Sequence, residues 1–84
     1  MTKYACPCCG YLTLNEAPPG TYDICDVCWW EDDFVQYNDP NFRGGANHLS
    51  LNEARANFRR MRVSDRRFAK LARPPMPDEE PGTI

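Results

Sequence analysis

The residues with the clearest chemical potential in this chain are its thiols. Four of the five cysteines form two C-x2-C pairs, Cys6 with Cys9 and Cys25 with Cys28, separated by 15 residues. That spacing is a signature of metal sites. Zn²⁺ takes four tetrahedral ligands, and sulfurs at i and i+3 both point into one tight turn. Pro7 fixes φ inside the first turn, and Gly10 permits the positive φ that follows it. The expected ligands are therefore Cys6, Cys9, Cys25 and Cys28. Four thiolates leave no open position for a substrate, so one Zn²⁺ in a closed structural site is the first expectation. Iron is the alternative, because tetrathiolate sites hold it as well.

The other reactive side chains offer less. Cys8 is the thiol left over, and a nucleophilic or redox role for it needs an electropositive neighbourhood that the sequence does not supply. His48, the single histidine, stands just before a helix cap and is expected to be a loop side chain. With no general base, nucleophile or phosphate cradle in view, no enzymatic activity is expected. Glu31, Asp32 and Asp33 follow Trp29 and Trp30 directly. This cluster is expected to bind a basic partner or a hard cation such as Mg²⁺, or else to form a solvated turn paired with the chain's own arginines. Two adjacent tryptophans do not easily both enter a core, so one of them is expected to mark a contact surface.

Charge is distributed unevenly. The net charge is −2, yet eight of the ten Lys and Arg lie between Arg55 and Arg73, and seven of the twelve acids lie between Glu16 and Asp39. A basic stripe is the electrostatic footprint of nucleic-acid binding. Arg59, Arg62 and Arg66 are its candidate contacts, for a protein partner or for nucleic acid. Against nucleic acid stand a pI near 5.2 and the lack of aromatics interleaved with the arginines.

The elements that must position the thiols follow from a short chain. A single domain of 84 residues buries too little apolar surface to offset its conformational entropy comfortably, so a staple is needed, and the metal supplies it. The N-terminus has no apolar signal segment, and no transmembrane run exists. An odd cysteine count fits a secreted disulfide framework poorly, and a reducing cytoplasm is the expected setting. Residues 1–37 read as a metal-binding ribbon. Residues 11–14 alternate as a strand, residues 15–20 turn with two prolines and a glycine, and residues 21–24 return as a second strand carrying Cys25. Residues 29–37 read as a third strand followed by an irregular segment. Residues 50–72 read as helical: Ser50 and Glu53 form a capping box, Leu51, Ala54, Phe58 and Met61 share a face, and Ser64 or Asp65 caps a second short helix with Phe68 and Leu71 as its apolar contacts. Residues 73–84 form an extended, proline-rich tail whose acidic end, from Asp78 on, is expected to fray.

The opening Cys6-Pro7-Cys8-Cys9-Gly10-Tyr11 resembles the first knuckle of rubredoxins and zinc ribbons. The second knuckle departs from it, with Trp29 where rubredoxins carry glycine. A longer likeness is to the bacterial cysteine-rich CPCC domain family. It runs through residues 25–33, Gly44-Gly45-Ala46-Asn47, Leu51-Asn52-Glu53-Ala54-Arg55 and Arg73-Pro74-Pro75. The resemblance implies a metal site and names no reaction. The expected fold is small α+β: a zinc-ribbon or rubredoxin-like β-hairpin of two to three antiparallel strands, one or two C-terminal helices, and the tail. The expected function is a cytoplasmic protein–protein interaction module, an adaptor or immunity-type partner by analogy with small standalone bacterial proteins. The alternatives are a nucleic-acid-binding zinc ribbon working through the arginine helix and a rubredoxin-like electron carrier.

Overall fold

A computed structural model describes residues 3–81. Strand β1 (Tyr4–Ala5) pairs antiparallel with β2 (Leu12–Leu14), Tyr4 opposite Leu14 and Ala5 opposite Leu12, with an irregularity between the two pairs. The turn between them is the first cysteine knuckle. Residues 22–24 do not pair back onto β2, as the alternation suggested. They pair instead with the chain just beyond the second knuckle: Ile24 bridges Glu31, Tyr22 N donates to Asp32 O at 2.9 Å, and Asp32 N donates to Asp23 O at 2.9 Å. Each C-x2-C pair therefore sits at the tip of its own short hairpin, and residues 15–20 cross from one to the other. Period-2 alternation identifies extended chain without naming its partner. A tight turn is satisfied most locally by the two arms that leave it.

Residues 34–38 correct the expected irregular segment. They form helix α1 (Phe34–Asn38), capped by Asp33, whose carboxylate accepts from Gln36 N at 2.9 Å. The signal was present as Asp33-x-x-Gln36, an N-cap residue followed three positions later by glutamine. The helix turns its polar member inward: Gln36 is buried, whereas Phe34, Val35 and Tyr37 are exposed.

That buried glutamine organises the loop beyond it. Gln36 Nε2 donates to the carbonyls of Phe42, Asn47 and Leu49 at 2.9–3.1 Å, and Gln36 Oε1 accepts from Asn47 N and Nδ2. Asn47 in turn bonds both backbone groups of Glu31. Asp33 Oδ2 takes Ala46 N at 2.8 Å. A loop rich in turn formers is held through its backbone by the buried Gln36 and Asp33 and the half-buried Asn47, which satisfies groups that would otherwise be orphaned.

Helix α2 (Leu51–Met61) forms as its sequence requires. Ser50 accepts from Glu53 N, and Glu53 accepts from Ser50 N, closing the capping box. Leu51, Ala54 and Phe58 are its buried face. Glu53 also pairs with Arg43, and that pairing holds its carboxyl down to about 2. Asp65 caps a single 3-10 turn, Arg66–Phe68, in place of a second α-helix, and Leu71 lies exposed. The tail is not extended throughout. Arg73 forms a bidentate pair with Glu79 across a 3-10 turn, Pro77–Glu79, that lies beside β2. The fraying expected of its end falls partly on residues 82–84, outside the described residues.

The core is one small cluster in which thiols sit beside hydrocarbon: Cys6, Cys8, Cys25 and Cys28 with Leu14, Val27, Trp30, Leu51, Ala54 and Phe58. Gly45 tests how closely the polar loop fits. A Cβ there would lie 2.8 Å from Gln36 Cδ and 2.9 Å from Asp33 Oδ2. Gly45→Ala should cost about 1–3 kcal/mol, since the atoms it displaces are buried and hydrogen-bonded. A thermal melt compared with wild type checks this, and an unchanged midpoint would mean that the loop is free to yield.

Candidate metal centre

The two knuckles are built alike. In the first, Gly10 N donates to Cys6 O at 2.8 Å, and Cys6 N donates to Tyr11 O at 2.9 Å. In the second, Trp29 N donates to Cys25 O at 2.8 Å, and Cys25 N donates to Trp30 O at 3.0 Å. The residue after each second sulfur is left-handed: Gly10 at φ 82° and Trp29 at φ 66°. The departure of Trp29 from glycine thus leaves the knuckle intact. A left-handed non-glycine residue costs of order 1–2 kcal/mol. Offsetting contacts are in view: Trp29 Nε1 donates to Leu71 O at 2.7 Å, and the indole lies 6.1 Å from the Phe68 ring.

These turns bring Cys6, Cys9, Cys25 and Cys28 together, with all four sulfurs within 4.8 Å of one another. Cys6 Sγ lies 3.6 Å from Cys28 Sγ, and Cys9 Sγ lies 3.6 Å from Cys25 Sγ. No cysteine is bridged. The edge of a tetrahedron with metal–sulfur bonds of about 2.3 Å is about 3.8 Å, so the donor set fits a four-coordinate ion. Three of the four ligands are fully buried, and Cys9 is half-buried. Cys8 stays outside the quartet with its side chain buried, and its amide N–H points at Cys6 Sγ, 3.4 Å away. The Cys28 amide lies 3.5 Å from Cys25 Sγ. Thr13 adds a hydroxyl donated to Cys25 Sγ at 2.9 Å. Thr13 is a residue that sequence reasoning missed, because a strand threonine gives no sign of what its inward face meets.

The four sulfurs cannot all ionise this close together without a compensating positive charge. Donation from Cys28, then from Cys6 and Cys9, pulls the Cys25 thiol down, with Thr13 adding to the effect. The same contacts push Cys6, Cys9 and Cys28 up, since one anion among them disfavours a second. Four thiolates at these separations repel one another, and a bound dication reverses that logic. When bound, a metal would cross-link the two knuckles through these four sulfurs.

The expected surface residues separate into inside and outside. Trp30, Asp32 and Asp33 are buried, so they cannot form a partner-facing cluster. Asp32 Oδ2 accepts from Thr21 N and Oγ1, and Asp33 holds α1 and the loop. Neither aspartate pairs with the arginine helix: Asp33 is spent on backbone amides, and Asp32 is fully buried against Thr21, with its Oδ1 unpartnered among the described residues. Trp29 and Glu31 are half-buried. Arg59, Arg62 and Arg66 are all exposed, and Arg62 also caps α2 with its guanidinium 4.2 Å above the Phe58 ring and bonded to the Tyr11 hydroxyl. Arg55 is likewise spent, on the Pro7 carbonyl of the first knuckle. His48 is exposed and lies outside the sulfur cluster. Among the described residues no helix is long and apolar enough to cross a membrane.

A protein-family model described as cysteine-rich CPCC matches residues 4–79. Comparison with curated proteins finds no match.

Replacing any one of Cys6, Cys9, Cys25 or Cys28 with serine should abolish stoichiometric metal binding in native mass spectrometry, while Cys8→Ser should retain it. Metal loading at neutral pH should also release protons, because the raised thiols must ionise to bind, and affinity should fall as pH falls. Proton release can be followed in weakly buffered solution during titration with Zn²⁺. Loading without release would mean that the sulfurs are not the ligands.

Proposed function

The chain belongs to the cysteine-rich CPCC family. From that premise and the sulfur geometry we propose that it is a zinc protein whose metal is structural, and that the fold held by that metal serves as a protein–protein interaction module. The observation that carries the structural role is the closed, largely buried donor set, which leaves no position for a substrate on the ion. No catalytic role is assigned to the remaining thiol or to His48.

The interaction role is supported by what the small core leaves outside. Phe34, Val35 and Tyr37 of α1 are exposed at 57%, 52% and 41%, and Tyr22, Ile24 and Phe42 are exposed as well. Phe34 and Tyr37 stand one turn apart on α1, and a contiguous exposed apolar patch marks a contact surface. The interaction would be that of an adaptor or immunity-type partner.

Nucleic-acid binding is supported by one observation only: Arg59, Arg60, Arg66 and Arg67 are all exposed on one stretch of chain. Arg55, Arg62 and Arg73 are engaged elsewhere in the molecule, which thins the stripe. An iron-loaded electron carrier uses the same four sulfurs and differs by the metal.

Site-specific photo-cross-linkers placed at Phe34 and Tyr37 should capture a discrete protein in the native host cell, and one at Glu16 on the exposed turn should capture markedly less. Equal, diffuse labelling at every site would argue against a protein interface. Binding to single-stranded or duplex nucleic acid that weakens steeply with salt would favour the arginine reading instead.

A further inference from the structure

One cleft is lined by none of the four ligand cysteines and by none of the exposed aromatics of α1. It encloses about 160 Å³ between the second knuckle, the loop before α2 and the turn at Arg66–Phe68. A cavity of this size admits a group comparable to benzene. Trp29, Trp30 and Phe68 supply aromatic walls. Trp29 does so in a fixed orientation, since its indole nitrogen is tied to Leu71 O.

The charges in the cleft do not cancel. Asp65 and Arg67 pair at 3.2 Å, and Arg67 sits 5.3 Å over the Phe68 ring. The other charged wall residue is Glu31, with His48 as the remaining titratable group. Both backbone groups of Glu31 are taken by Asn47, but among the described residues its carboxylate has no hydrogen bond or ion pair. An aromatic-walled cleft with one uncompensated carboxylate suits an organic cation, which gains from the ring quadrupoles and from the anion together. Arg67 over Phe68 already shows a cation seated on one of these rings.

We infer that this cleft takes the alkylammonium side chain of a lysine on a partner protein, its methylenes against Trp29, Trp30 and Phe68 and its ammonium at Glu31. The site rests on the interaction reading and names the partner's chemistry. It also explains how two adjacent tryptophans are both used, Trp30 as core and Trp29 as the half-open wall.

The test uses the full-length, metal-loaded, ¹⁵N-labelled protein, titrated with the peptide acetyl-Gly-Lys-Gly-amide and with its norleucine counterpart. The indole N–H resonances of Trp29 and Trp30 are followed by NMR. The lysine peptide should move both resonances and bind at least about threefold tighter than the norleucine peptide, the scale of an exposed cation–π contact. Glu31→Gln spares the backbone bonds to Asn47, so the protein should fold, and the lysine advantage should vanish. Equal binding of the two peptides, unmoved indole resonances, or an advantage that survives Glu31→Gln each overturns the inference. Should the lysine peptide fail while the cross-linkers at Phe34 and Tyr37 still capture a partner, the cleft assignment falls and the interaction reading stands.

Discussion

Four sulfurs that repel one another when ionised stand where a larger domain would place its hydrocarbon centre. Cys6, Cys25 and Cys28 are buried among Leu14, Val27, Trp30, Leu51 and Phe58, so the thiols belong to the core and are not appended to it. Such a core is too thin to offset the entropy of ordering a chain of this length on its own. A multivalent cation resolves both problems at once, since it neutralises the charge and ties two distant turns together. The remaining architecture then follows from where those turns must lie. Two equivalent hairpins present the sulfurs, and α2 closes the cluster with Leu51, Ala54 and Phe58.

The second organising device is polar. Asp33 and Gln36 are buried, and each spends most of its hydrogen-bonding capacity on backbone groups of α1 and the loop beyond it, while buried Asp32 accepts from Thr21 through Oδ2 alone and its Oδ1 has no partner among the described residues. This arrangement explains how a chain with so few strand and helix residues keeps its amides satisfied. It also accounts for the outward-facing aromatics of α1. With Gln36 turned in to hold the loop, the geometry of a five-residue helix leaves Phe34, Val35 and Tyr37 in contact with solvent.

Much of this was legible from residue types and spacing wherever a local rule applied. The two C-x2-C pairs and the Ser50–Glu53 capping box are each written within a few residues and form as written, whereas Asp65 caps only a 3-10 turn in place of the expected second helix. Strand pairing was not legible, because alternation in residues 11–14 and 21–24 carries no record of the partner. The acids next to the tryptophans were misleading for a different reason. Composition places aspartates outside, whereas Asp33 is drawn inward by capping α1 and by holding the Ala46 amide of the 40–50 loop. Trp29 hides its role too: it takes a conformation that glycine usually supplies, and its compensating contacts come from Phe68 and Leu71, some forty residues away in sequence.

The central claim is that metal and fold are one equilibrium. It is tested most directly by native mass spectrometry of freshly purified protein, with the metal identified on the same sample and circular dichroism recorded before and after chelation. The account predicts one zinc per chain, lost together with the helical signal of α2 and restored with it on adding zinc back. A protein isolated without metal, or one that keeps its structure after the metal is removed, would contradict it.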